Sequence, residues 1–130
     1  MLVLDAGIAI RASIREGGLA RFGGEELLAP PIMWSEARSA LHEAAWRREV
    51  PAQVAREAHA RLEAFPIARR RPRALGAEAW RIADELGWAK TYDSEYLALA
   101  SLLGCRFVTL DARLRRGADR LGFVVSPSEL

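Results

Sequence analysis

The chain has 130 residues, 51% hydrophobic and 28% charged, with ten glycines and six prolines; this excludes a disordered or fibrous protein and fits one domain spanning residues 1–130. Its formal charge is +2, and Lys90 is the one lysine among 19 basic residues, a bias toward the side chain that contacts phosphates bidentately. A lone cysteine, Cys105, excludes an intrachain disulfide framework and points to a reduced, cytoplasmic setting.

The opening "MLVLDAGIAI" reads as a buried strand that runs straight into a helix start at Asp5-Ala6-Gly7. Asp5 in its middle, the missing basic leader and the shortness of the run argue against a signal peptide or membrane anchor. "ELLAPP" predicts a second strand ended by Pro30 and Pro31. From Ser35 to Arg48 the apolar residues follow a helical period, with Ser35 as the expected N-cap. Pro51 opens the next helix, whose inner face is Ala55, Ala58, Leu62 and Phe65.

"FPIARRR" predicts an edge strand, since Pro66 cannot donate to a ladder. Leu75, Ala79, Ile82, Ala83 and Leu86 mark a helix that Gly87 stops. The stretch "TYDSEYLALASLLGC" predicts a core helix, with Tyr92, Tyr96, Leu99, Ala100 and Leu103 on its buried face and Leu97, Ala98 and Leu102 burying most of the rest. "CRFVTL" then predicts a buried strand, "DARLRRGADRL" a short helix, and "FVV" a last strand before Pro127. Strands without polar alternation, separated by helices, predict an α/β three-layer sandwich with a central parallel sheet.

In such a sheet the functional edge lies beyond the carboxyl ends of the strands. Asp5 directly follows the first strand, and Asp111 closely follows "FVTL". Asp93 opens the core helix, and Glu36 is placed in the first turn of the helix after Pro31. Each has a plain structural reading as a helix cap or first-turn acid. Together they read differently, because two carboxylates ~4 Å apart repel by roughly 4 kcal/mol at an effective dielectric of ~20. A cluster of that kind needs a cation, and an all-oxygen donor set suits Mg²⁺ or Mn²⁺.

The motifs "VLDAG", "SEARSAL", "YDSEYLALA" and "FVTLDARL" resemble, in order and spacing, the acidic motifs of PIN domains, and the whole chain resembles the VapC-type toxins of that family. The resemblance implies a Mg²⁺- or Mn²⁺-dependent endoribonuclease with a parallel sheet between helices. It places the family's acids on Asp5, Glu36, Asp93 and Asp111, with Asp5, Asp93 and Asp111 as metal ligands. The accompanying hydroxyl falls on Thr109, while Glu95 lies outside the usual set as a supporting carboxylate or a solvated helix-start acid. Gly7 departs from the family, which often has Ser or Thr there. Gly7 also excludes a haloacid-dehalogenase chemistry, which needs a second Asp at that position.

The resemblance further implies RNA as substrate, a homodimer, and a small cognate antitoxin of a type II toxin–antitoxin pair. Arg113, Arg115, Arg116 and Arg120 form the basic cluster nearest the expected site, and Arg69, Arg70, Arg71 and Arg73 form another; each reads as an RNA contact or a solvated face. His42 and His59 lie off the apolar helix faces and offer no triad. The four tryptophans read as core or interface residues. A PIN-like module that binds RNA or protein without cutting is the alternative to an active nuclease.

Overall fold

The computed structural model describes residues 1–130. Five strands form one wholly parallel sheet: β1 (Leu2–Leu4), β2 (Leu27–Ala29), β3 (Ile67–Arg69), β4 (Arg106–Val108) and β5 (Val124–Val125). Their spatial order is β3-β2-β1-β4-β5, with Val3 opposite Leu28 on one side and opposite Phe107 on the other. Six helices connect and cover them: α1 (Ala6–Ile14), α2 (Ile32–Trp46), α3 (Ala52–Ala64), α4 (Leu75–Leu86), α5 (Tyr92–Leu103) and α6 (Ala112–Gly117). Helices α1, α2 and α3 pack on one another, α4 packs on α5, and α5 rests on β1 and β4. The result is the expected three-layer α/β/α sandwich.

The strands are short and apolar because they are covered on both sides; β1 is wholly buried and Phe107 and Val108 of β4 are fully inaccessible. One 30-residue core cluster runs through sheet and helices. β3 sits at the sheet edge, as Pro66 requires. Gly87 and Gly104 close α4 and α5 in the left-handed conformation at φ +72° and +66°, where a side chain would be strained.

Two expectations are corrected. Helix α2 starts at Ile32 rather than Ser35, because Pro31 already has helical angles (φ −53°, ψ −33°) and the Met33 amide bonds back to Pro30. Ser35 is therefore inside the helix, and Glu36 stands in its second turn. In α5, Tyr92 is 56% and Leu102 38% exposed, so the buried face centres on Tyr96 to Ala100 and Leu103 is only half-buried. Of the tryptophans, expected in the core or at an interface, Trp34 is core, Trp88 half-buried, and Trp46 and Trp80 lie on the surface, where an interface is not contradicted. No helix is long and apolar enough to cross a membrane.

Candidate active site

The chain runs from β1 outward through β2 and β3, then returns to the other side of β1 as β4 and β5. The strand order therefore reverses between β1 and β4, which opens a crevice beyond their carboxyl ends. Asp5 follows β1 there. Its carboxylate does not cap α1; instead Thr109, 1% exposed at the end of β4, donates its hydroxyl to Asp5 Oδ2 at 2.6 Å. Thr109 Oγ1 in turn accepts the Asp111 amide at 3.0 Å. One buried hydroxyl thus ties the first acid to the backbone of the last.

Asp111 is the N-cap of α6, as its plain reading expects: Oδ1 accepts from the amides of Arg113 (3.0 Å) and Leu114 (3.1 Å). The two bonds hold the carboxylate in place and leave Oδ2 without a bond to the protein. Asp93 lies exposed in the first turn of α5 and caps nothing. Glu36 reaches across from α2 and accepts the Tyr96 hydroxyl at 2.5 Å. Tyr96 is fully buried and stacked on Phe107 with ring centres 5.5 Å apart. The core of α5 therefore orients Glu36 from sixty residues away in sequence.

These acids feel one another. Burial pushes the Asp5 carboxyl above its ordinary value; the Thr109 hydrogen bond opposes this, while the charges of Asp93 and Asp111 add to it. Glu36 is raised by burial and by Asp5, Asp93 and Glu95, against the Tyr96 bond. Asp93, though solvent-accessible, is raised by partial loss of water in the crevice and by Asp111. Glu95 is also raised by burial, with Arg71 pulling the other way. The Tyr96 hydroxyl is driven far above the usual tyrosine range by burial and by Glu36, so it serves only as a donor. None of Asp5, Glu36, Asp93 and Asp111 forms an ion pair with Arg, Lys or His.

Such a donor set, all oxygen and unmatched by a protein cation, fits a hard divalent ion. No three of the carboxylates form a ready-made ligand cage. The crevice around Glu36, Asp93 and Asp111 is also lined by Trp88, Lys90, Tyr92 and Arg113.

Of the arginines expected near the site, Arg113 lines the crevice. Arg115 is paired with Glu129, and Arg116 is exposed outside the crevice. In the other cluster Arg69 stacks over the Trp34 ring at 4.4 Å, and Arg71 stands close enough to influence Glu95. Sequence reasoning missed Lys90, Trp88 and the roles of Tyr92 and Tyr96. Tyr96 carried a usable signal: it lies three residues after Asp93, on the same side of the helix.

The sequence matches the PIN domain family over residues 2–120. It is 32% identical over 115 residues to VapC ribonuclease Mb0985 of Mycobacterium bovis, and equally to ribonuclease VapC9 of Mycobacterium tuberculosis, with 88% of each chain covered. The fold is shared with the crystal structure of PAE2754 from Pyrobaculum aerophilum at a TM-score of 0.71 and 21% identity, covering 98% of this chain and 90% of that one. A strand order that brings four acids to the β1/β4 crevice and a match to the family along nearly the whole chain agree: the protein belongs to the PIN domain family and is VapC-type.

Proposed function

We propose that the protein is an endoribonuclease that hydrolyses RNA phosphodiester bonds with Mg²⁺ or Mn²⁺, and that it acts as the cytoplasmic toxin of a type II toxin–antitoxin pair. The observation that carries this reading is the set of four acids at the β1/β4 crevice with no basic partner. Two similar proteins bear the name ribonuclease. Their name also supports a small antitoxin as partner, and the family resemblance supports a homodimer.

Asp5, Asp93 and Asp111 would hold the ion, with Glu36 lining the same crevice. When bound, the ion neutralises the charge that develops on the phosphoryl group and makes the attacking water more acidic. The chain's own residues do the positioning. Thr109 keeps Asp5 in one rotamer through its 2.6 Å bond, and α6 fixes Asp111 through its two amides. Tyr96 holds Glu36 in place. Lys90 and Arg113 lie on the crevice wall, where their charges favour entry of a phosphate. Tyr92, at the mouth, offers a ring for an unstacked base.

RNA cleavage assayed with Mg²⁺ or Mn²⁺, with and without EDTA, tests the reading beside Asp5→Asn and Asp93→Asn. Metal-dependent cleavage by the wild type, abolished in both variants, is the expected result. Full activity in either variant would overturn the assigned roles. A wild type that binds RNA but never cuts it would favour the non-cutting module instead.

A further inference from the structure

On the far side of Asp5 lies a second cavity that the acids do not use. It is a groove of about 480 Å³ between α1, the Gly17–Gly18 turn, the short 3-10 helix at Ala20–Phe22 and the segment after β5. Three arginines line it. Arg11 and Arg15, four residues apart on α1, share one face of the helix, an arrangement that like charges disfavour unless something opposite lies between them. Neither side chain has a hydrogen-bond or ion-pair partner in the protein. Arg21 is held ready, with Nη2 donating to the Pro127 carbonyl at 3.2 Å and its guanidinium 5.7 Å from the centre of the Phe22 ring. Glu16 is the one acid on the wall and pairs with none of them.

The groove adjoins the catalytic edge. Ile8, which lines it, bonds through its amide to the Asp5 carbonyl at 3.1 Å, and Leu110, which also lines it, lies between Thr109 and Asp111. Leu110 is 43% exposed, an apolar surface beside the site. A polynucleotide with one phosphate among the acids must leave the crevice carrying further phosphates. Free guanidinium groups beginning next to the acids match that requirement in charge and in place.

We infer that the groove of Arg11, Arg15 and Arg21 is a substrate subsite that binds backbone phosphates of the single-stranded RNA flanking the scissile bond. The inference rests on the ribonuclease reading above. The occupant is RNA rather than a protein segment because the groove carries three arginines against one carboxylate and opens onto the catalytic edge. Two of those arginines act as phosphate contacts free of internal pairing, while Arg21 gives a fixed one.

The test is binding of a labelled, mixed-sequence single-stranded RNA by fluorescence anisotropy, in EDTA so that nothing is cut, over a series of salt concentrations. Each lost contact lowers the slope of log affinity against log salt by ~0.7 for a single strand, so R11Q/R15Q should lose about 1.4 and each single variant about half of that. The double variant should bind roughly tenfold more weakly near physiological salt. A charge-matched control, R48Q/R56Q, removes two arginines that line neither the groove nor the acidic crevice and should keep the wild-type slope.

Wild-type affinity and slope in R11Q/R15Q would overturn the subsite, as would an equal loss in the control. Unchanged RNA binding with weakened capture of the purified antitoxin would overturn it in favour of a protein contact. A wild type that cuts RNA while the double variant binds normally removes only the subsite. A wild type that neither binds nor cuts RNA removes the ribonuclease reading with it. Arg11 and Arg15 are exposed and their side chains make no bond, so matched thermal melts are expected and confirm that the loss is one of binding.

Discussion

The carboxylates of the β1/β4 crevice and those on the outer helices have opposite electrostatic surroundings. On α2 and α3, Glu63 accepts from Arg38 at 2.6 Å and its carboxyl is held below the ordinary value by that bond. On α4, Glu78 is lowered in the same way by Arg81, which also reaches Glu85 at 2.9 Å. Asp5, Glu36 and Asp93 are raised, chiefly by loss of water and also by the charges of neighbouring carboxylates. The protein has arginines to spare and pairs none of them with these acids. An acid with an arginine partner is finished; an acid without one, crowded by its own kind, leaves its charge for a ligand to balance.

The largest effect expected from breaking this contrast is on catalysis. Asp5→Asn, Asp93→Asn or Asp111→Asn should each lower kcat for RNA cleavage by more than ~100-fold, since even a group that only orients a metal ligand is worth about 10–100-fold. Thr109→Val and Tyr96→Phe belong to that lesser class. Each should cost about 10–100-fold in activity or in the Mn²⁺ concentration needed for half-maximal rate, because Asp5 and Glu36 lose the donors that orient them.

A smaller effect of opposite sign is expected on stability. A carboxyl whose folded pKa is raised binds its proton more tightly in the native than in the unfolded state. Between the ordinary carboxylate value and the raised one the folded protein then holds more protons, and stability falls as pH rises. Asp5, Glu36 and Asp93 therefore each contribute stability that grows on acidification through the range just above pH 4, opposite in sign to the contributions of Glu63 and Glu78. The wild-type melting temperature should accordingly rise relative to that of a metal-free Asp5→Asn variant as pH falls. Asp5→Asn should melt higher than the wild type in EDTA near neutral pH. Saturating Mn²⁺ should reverse that ranking by stabilising only the wild type, by about 2.7 kcal/mol at a hundred times its Kd.

Smallest of all is the change expected on the outer helices. Arg38→Gln breaks a pair whose side chains are 47% and 43% exposed, and exposed pairs contribute little. Cleavage should be unchanged and the melting curve should stay within the scatter of replicates. A large loss of activity in Arg38→Gln would remove the distinction between the two sets of acids.

Much of this architecture is legible in the linear order of residues. Apolar runs separated by helical periods predict the parallel sheet, because a strand covered on both faces has no polar side to show. Asp5 after "LVL" and Asp111 after "VTL" are assigned to one sheet edge by parallel geometry alone. Where the reading falters, backbone geometry decides in one case and a long-range contact in the other. Ser35 has the chemistry of an N-cap, but Pro31 takes helical angles and starts α2 earlier. Tyr92 and Tyr96 share one helical face in sequence; in the fold the first opens on the crevice and the second is sealed against Phe107.

The sequence by itself determined the layered fold through local periodicity and the family through its motifs, and parallel strand geometry assigned Asp5 and Asp111 to one sheet edge. Tertiary structure alone decided how the acids are held and what surrounds them. Thr109 and Asp5 are 104 residues apart, Tyr96 and Glu36 sixty, and Arg21 and Pro127 106. The same packing turned the arginines after Asp111 to different tasks, with Arg113 on the crevice and Arg115 on Glu129. Side-chain pairing across such separations depends on the packing of strands and helices in three dimensions, and no periodicity in the chain encodes it.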